Sequence, residues 1–170
     1  MSTETTAHIF AYGSNLHMGR MRSRVPSAEP ITIGYVAERH IAFHKRSIDG
    51  SAKADASYTA DPSDRVWGVI YRIHARETPV LDRHEFLGIG YDREQIGVVT
   101  EHGATVAAWM YVALSGAIDR SMRPYSWYLE FIVRGAHQHR LPLCYIAALH
   151  GTESDNDPDP SRDEMNRRNM

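Results

Sequence analysis

The sequence predicts an α+β fold, and three observations carry that reading. Extended segments dominate the chain up to residue 113. The helical segments between them are occasional rather than regularly alternating. Two of the strands are joined by a hairpin signal. The 170 residues, 42% of them hydrophobic, suit one domain around one core.

Residues 1–7 read as frayed, and residues 8–12 as a short strand. Gly13 then allows a sharp reversal through positive φ. Ser14 and Asn15 are N-cap types for a helical turn starting near Leu16. A basic, Met-containing turn runs to Arg24, and residues 26–30 form a loop. Residues 31–45 alternate as two extended segments with a bend near Glu38. Residues 47–56, rich in Gly, Ser, Ala and charge, read as a mobile loop, followed by a short strand at 57–60. Asp61-Pro62-Ser63-Asp64 is a turn. Residues 66–73, β-branched and aromatic, are the strongest strand of the chain. Thr78 and Pro79 are N-cap and first residue of a helix that runs to about Leu87 and stops at Gly88 and Gly90. Residues 91–100 and 104–113 are strands joined by Glu101-His102-Gly103. Pro124 opens a helix to about His139, with Trp127, Tyr128, Phe131, Ile132 and Gly135 at helical spacing. Pro142 starts another, to about His150. The domain is therefore expected at 1–150. The polar, acidic residues 151–170 have nothing to bury and read as a disordered tail.

Composition narrows the function. A formal charge of −2 implies no basic face, so no nucleic-acid partner is expected, and Arg20, Arg22 and Arg24 read as a solvated face. The single cysteine, Cys144, excludes an internal disulfide and a Cys-rich zinc site; its apolar neighbours suggest a buried, inert thiol. No apolar run approaches the ~18 residues that span a bilayer, and the N-terminus lacks an apolar signal core. No membrane partner and a cytoplasmic location are expected. His40 and His44 share a strand face if the alternation holds, and His137 and His139 are two apart, but no HExxH pattern accompanies either pair. Ser14 lacks a Gly-x-Ser-x-Gly frame, and dinucleotide and Walker glycine patterns are missing. No metal or cofactor is expected.

Two features carry chemistry. Residues 10–16 (Phe10-Ala11-Tyr12-Gly13-Ser14-Asn15-Leu16) place a strand, a glycine and a capped turn in succession. Backbone N–H groups there can converge on an anionic oxygen such as a carboxylate. Glu85 follows Leu81 by one helical turn and sits beside Phe86 and Leu87, at the edge of a buried face, where a carboxylate can accept and return a proton. Asp82 has no second line of support. Tyr128 reads as a core aromatic whose hydroxyl can reach a pocket.

These pieces, in order, resemble the γ-glutamylcyclotransferase family over roughly residues 8–150. The resemblance is carried by the Tyr12-Gly13-Ser14-Asn15 loop, by Val25-Pro26-Ser27-Ala28, and by the strand from Asp64 to Tyr71. It continues with Leu81-Asp82-Arg83-His84-Glu85 followed by Gly90-Tyr91, and ends with Tyr128 to Ile132, Gly135-Ala136 and Leu141-Pro142-Leu143-x-Tyr145. It implies a mixed β-barrel flanked by helices and a small-molecule γ-glutamyl substrate. The substrate's α-amine attacks its own side-chain carbonyl, giving 5-oxoproline and a free amine. By the same resemblance Glu85 is the catalytic acid/base, while Tyr12, Gly13, Ser14, Asn15, Leu16 and Tyr128 bind substrate. The chain departs from the pattern directly after Glu85, where the family commonly has glycine and this sequence has Phe86. A γ-glutamylamine or biosynthetic γ-glutamyl relative, a non-catalytic carboxylate-binding module, and a purely structural or partner-binding domain remain as alternatives. A homodimer stays open.

Overall fold

A computed structural model describes residues 5–170, so the expected fraying of residues 1–7 falls largely outside the described residues. Five strands close a barrel in the order β1-β5-β2-β6-β7: β1 (Thr6–Ala11), β2 (Glu29–Ala37), β5 (Arg65–His74), β6 (Tyr91–Thr100) and β7 (Thr105–Ala113). The barrel is mixed. β1 pairs antiparallel with β5 but parallel with β7 through Ile9 and Trp109. β3 (Arg39–Arg46) and β4 (Ala52–Tyr58) form a separate two-stranded sheet. The mixed barrel with flanking helices is the architecture the resemblance implied.

The strands follow from local chemistry. β5 carries Val66, Val69, Ile70, Tyr71 and Ile73 into the core, as its β-branched and aromatic content requires. Glu38 takes φ 60°, the bend between β2 and β3. The hairpin of β6 and β7 turns through Gly103 at φ 81°.

Helices cover the barrel. α1 (Met18–Arg24) replaces the expected turn, capped by His17, whose Nδ1 accepts from the Arg20 N–H at 3.2 Å. α3 (Ser126–Gln138) buries Trp127, Tyr128, Phe131 and Ile132 at the expected spacing. Gly135 lets α3 approach the Ser14–Leu16 turn, since a Cβ on it would lie 2.4 Å from the Leu16 carbonyl carbon. α4 (Leu143–His150) follows. Cys144 is exposed on α4 rather than buried, because that helix turns Ile146 and Leu149 inward instead.

Three further expectations about the elements differ from the structure. Residues 47–56 are not all loop, since β4 occupies Ala52–Tyr58. The small residues Ala52, Ala54 and Ala56 that made it look loop-like are the buried face of β4. The helix α2 (Thr78–His84) stops before Leu87. Residues beyond Gly151 are ordered into α5 (Pro160–Arg168), whose N-cap Asp159 accepts from Ser161 and Arg162 N–H groups. Polar bonds hold that segment. Asp157 accepts from the Trp127 indole at 2.8 Å and from Arg162, and Arg167 reaches Glu130 at 2.7 Å. Among the described residues no helix is long and apolar enough to cross a membrane.

Candidate active site

The site is built where β1 runs into the turn after it. Gly13 caps a single 3-10 turn, Ser14–Leu16, closed by the Leu16 N–H on the Gly13 carbonyl at 2.9 Å. Gly13 has φ −94°, so the reversal does not use the positive-φ conformation expected of it. Its use is spatial instead: a side chain there would point at the Tyr128 hydroxyl and Ala54 Cβ, 3.5 Å from each. Among the described residues, the N–H groups of Gly13, Ser14 and Asn15 have no protein acceptor.

Glu85 is not within a helix but is the residue that ends one. The Phe86 N–H donates to the Arg83 carbonyl at 3.2 Å and the Leu87 N–H to the Asp82 carbonyl at 3.0 Å. That pair of bonds is a Schellman closure, which needs a left-handed residue just after the cap and usually takes glycine there. Phe86 fills the position with φ 52°. The departure from the family pattern is thus a backbone cost, on the order of 1–2 kcal/mol for a left-handed non-glycine residue. The reversal ends α2 three residues early and leaves Glu85 on its last turn, where its N–H still donates to the Leu81 carbonyl at 3.0 Å.

The carboxylate meets the turn directly. Asn15 Nδ2 donates to Glu85 Oε1 at 2.9 Å. Arg24 Nη1 donates to the same oxygen at 3.2 Å and to Asn15 Oδ1 at 3.0 Å. The three side chains close a triangle that fixes the Asn15 amide, with its oxygen toward the cation and its nitrogen toward the anion. Glu85 Oε2 has no protein partner among the described residues. Arg24 therefore belongs to the site, not to a solvated face. Arg20 is also recruited: its guanidinium lies 4.4 Å from the Phe131 ring centroid and its Nε donates to Ser14 Oγ at 3.1 Å. Burial lowers the Arg20 pKa to about 10. A short helix facing the turn produces both contacts, and a sequence run of three arginines does not reveal them.

A narrow cavity of about 40 Å³ opens at this triangle, with room for a short polar chain. Its wall includes Tyr12, Gly13, Ser14, Asn15, Glu85 and Tyr128, so six of the seven expected site residues are brought together. Leu16 is the exception. It is fully buried in the core, and its carbonyl accepts from the Tyr71 hydroxyl at 3.3 Å and pairs with His139 Nε2 at 2.9 Å. It anchors the turn from behind. Ile9, Phe10 and Ala11 of β1 also line it, as do Ala54, Tyr91 and Tyr111, none of which was singled out as a site residue by sequence, although Tyr91 lay within the recognised Gly90-Tyr91 segment. A stretch that reads as loop gives no reason to look for Ala54.

The phenols are structural donors and acceptors. Tyr12 donates to the Tyr111 carbonyl at 2.5 Å, Tyr91 to the Ala54 carbonyl at 2.6 Å, and Tyr128 accepts from the Ala54 N–H at 3.0 Å. Burial pushes the Tyr12 and Tyr91 hydroxyls well up and that of Tyr128 to about 12, so all three stay protonated near neutrality. Asp82, three residues before Glu85, is consumed by its neighbours. Arg93 donates to both of its oxygens, at 3.0 and 3.1 Å, and Tyr111 donates to Oδ1 at 2.6 Å.

The histidines do not gather. A bulge between Phe43 and Lys45 breaks the strand alternation, so His40 is exposed while His44 is buried against Asp55 at 2.8 Å. His137 faces His150, and His139 faces Leu16.

The chain is 28% identical to the γ-glutamylcyclotransferase of Bos taurus over 148 residues, covering 85% of this chain and 77% of that protein. It is 29% identical to the γ-glutamylcyclotransferase of Mus musculus over 160 residues, 92% of this chain and 84% of that one. Among solved structures, a γ-glutamyl cyclotransferase superimposes with a TM-score of 0.84 at 24% identity, over 96% of this chain and 99% of that chain. An uncharacterized protein from Homo sapiens does so with 0.82 at 24% identity, over 95% and 98%. The AIG2-like family model matches residues 65–149, half of the sequence, a stretch that holds β5, α2, Glu85, the β6–β7 hairpin and α3. The chain belongs to the AIG2-like family.

Proposed function

We propose that the protein cyclises the γ-glutamyl group of a γ-glutamyl amino acid or amine, releasing 5-oxoproline and a free amine, with Glu85 carrying the proton. One observation supports this above the rest. Glu85 is held by one oxygen, on Asn15 and Arg24, while the other is free beside a cavity walled by the Tyr12-Gly13-Ser14-Asn15 turn. The open oxygen stands where a proton of a molecule in the cavity can reach it.

The chemistry asks little else of the protein. The turn's N–H groups and the cavity wall hold the glutamyl carboxylate and fold the chain so that nitrogen meets carbon. Such positioning is worth roughly 7–11 kcal/mol of barrier. Glu85 takes a proton from the α-ammonium, and the freed nitrogen bonds to the side-chain carbonyl carbon. As the tetrahedral intermediate collapses, Glu85 gives the first proton to the departing nitrogen, whose bond to carbon breaks, and takes the second proton from the ring nitrogen, which the released amine carries away as an ammonium. No nucleophile, oxidant or metal enters this balance, and the carboxylate ends as it began. N–H donors aimed at the developing oxyanion lower the barrier further. The curated relatives are named for this reaction type, which supports the reading. A cytoplasmic setting belongs to the same proposal.

The test is 5-oxoproline release from a panel of γ-glutamyl amino acids, γ-glutamylamines and glutathione, with Glu85→Gln alongside. Release by the wild type that drops at least ~10²-fold in the variant supports the assignment. Release that survives the substitution moves the proton role elsewhere. A folded wild type inert to the whole panel points to a carboxylate-binding module.

A further inference from the structure

Next to the Glu85 cavity lies a second, wider cleft of about 280 Å³. Its apolar wall is Ile48, Phe86, Ile89 and Ala117, and Ile48 and Ile89 are 92% and 77% exposed, high for isoleucine. Lys45 lies in the same wall. The β3 bulge that buries His44 also buries Lys45, leaving it only 6% exposed. Among the described residues, Lys45 Nζ has neither a hydrogen bond nor an ion pair. What surrounds it is ring faces, Tyr91 at 4.9 Å and Phe86 at 5.9 Å. Its neighbour Arg46, by contrast, is spent on the Gly116 carbonyl at 2.7 Å. Burial lowers the Lys45 pKa, and the fields of Glu85 and Asp49 work against that. A cation so enclosed without an anion is an incomplete site.

Residues adjacent in the chain line the two cavities: Glu85 the first and Phe86 the second, Tyr91 the first and Gly90 the second. Tyr91 walls the first and stacks on Lys45; Phe86 follows Glu85 and walls the second. A Cβ on Gly90 would lie 2.5 Å from Lys45 Cε, 2.7 Å from Nζ and 3.7 Å from the Glu85 carbonyl oxygen. Glycine at 90 is what lets the ammonium rest beside the catalytic segment.

We infer that this cleft receives the departing half of the substrate, and that Lys45 binds the α-carboxylate of an apolar amino acid there. The inference rests on the cyclisation reading above and names its substrate class: γ-glutamyl amino acids with an apolar side chain, in preference to the γ-glutamylamines that lack the carboxylate. In such a substrate the acceptor nitrogen is tied up in the amide, so the carboxylate is the acceptor's one charge. Its match to an unpaired buried cation sets the selectivity, and the side chain lies on Ile48, Phe86 and Ile89.

Binding can be read without turnover. Glutaryl-L-leucine lacks the attacking α-amine and cannot cyclise; glutaryl-isoamylamide is its counterpart without the acceptor carboxylate. Calorimetry of both on the wild type, Lys45→Met and Lys45→Arg is the test. The wild type is expected to bind the leucine compound at least about tenfold more tightly. In Lys45→Met the ratio of the two Kd values falls to near one, and Lys45→Arg recovers part of it. Gly90→Ala keeps the lysine but pushes its end aside, and gives the same reading if Lys45→Met fails to fold. A wild type that binds both compounds alike, or a ratio that survives both substitutions, overturns the inference. A Lys45-dependent ratio in a protein that cyclises neither γ-glutamyl-leucine nor γ-glutamyl-isoamylamide keeps the carboxylate subsite and removes the cyclisation reading instead.

Discussion

Two carboxylate–arginine pairs in this molecule do opposite things. Asp157 is satisfied on both oxygens. Oδ1 accepts from the Asp159 N–H at 2.9 Å and from Arg162 Nη2 at 2.5 Å; Oδ2 accepts from the Trp127 indole at 2.8 Å and from Arg162 Nε at 2.7 Å. Arg162 bonding holds its carboxyl down to about 2. Glu85 meets Arg24 through one nitrogen and one oxygen only, sharing that oxygen with Asn15. The first pair ties a chain end to α3. The second keeps an anion in place while leaving half of it uncommitted. The bidentate pair leaves Asp157 no oxygen for another partner, whereas Glu85 keeps one beside the cavity.

Exchanging carboxylate for amide at each site breaks the comparison most sharply. Glu85→Gln is expected to lose ~10²–10⁴-fold in kcat for 5-oxoproline release, with the melting temperature almost unmoved. Asp157→Asn is expected to do the reverse. It destabilises by about 1–3 kcal/mol, read from urea unfolding, at near-normal kcat. A stability loss at Glu85 equal to that at Asp157 would erase the distinction.

The arginines sharpen it. Arg24→Met frees the Glu85 carboxylate to rotate. Stopped assays should show kcat falling by up to ~10²-fold with a smaller change in KM, and Arg24→Lys restoring part of the loss. A KM effect alone would make Arg24 a substrate ligand rather than a positioning residue.

Acid separates the pairs further. The Asp157 carboxyl is depressed in the folded protein, so its stabilisation is full above the ordinary carboxylate range of about 4. It is lost as the pH falls through about 2. Melting temperatures of wild type and Asp157→Asn should therefore differ at neutral pH and converge toward pH 2. A gap that persists at pH 2 would mean that packing, not charge, holds the segment.

The smallest effect concerns the residue after Glu85. Phe86→Gly relieves the left-handed strain at φ 52° and should stabilise by about 1 kcal/mol, raising the melting temperature by about 2–4 °C. No gain would show that Phe86 packing already offsets its backbone cost.

Much of the barrel was legible because its signals are local. Alternation and β-branching mark β5, and glycine chemistry marks the turn of the β6–β7 hairpin. The turn at Tyr12-Gly13-Ser14-Asn15 and Glu85 were legible as motif pieces, their ordered spacing carrying what no single piece could. β4 was hidden because Ala52, Ala54 and Ala56 have weak strand preference and are strand only through pairing with β3. The order after Gly151 was hidden because it depends on Trp127 and Arg162 meeting Asp157, residues that composition counts as core or solvent-facing.

By itself, then, the sequence determined the α+β class, most element positions and the two segments that hold the chemistry, since these rest on residues a few positions apart. Only the tertiary structure decided that Arg24 and Asn15 grip one oxygen of Glu85 across 61 and 70 residues of chain. It alone decided that Leu16 backs the turn instead of lining the cavity, and that a bulge leaves Lys45 buried without an anion. Each of these is set by the register and close approach of elements far apart in sequence, which no local preference encodes.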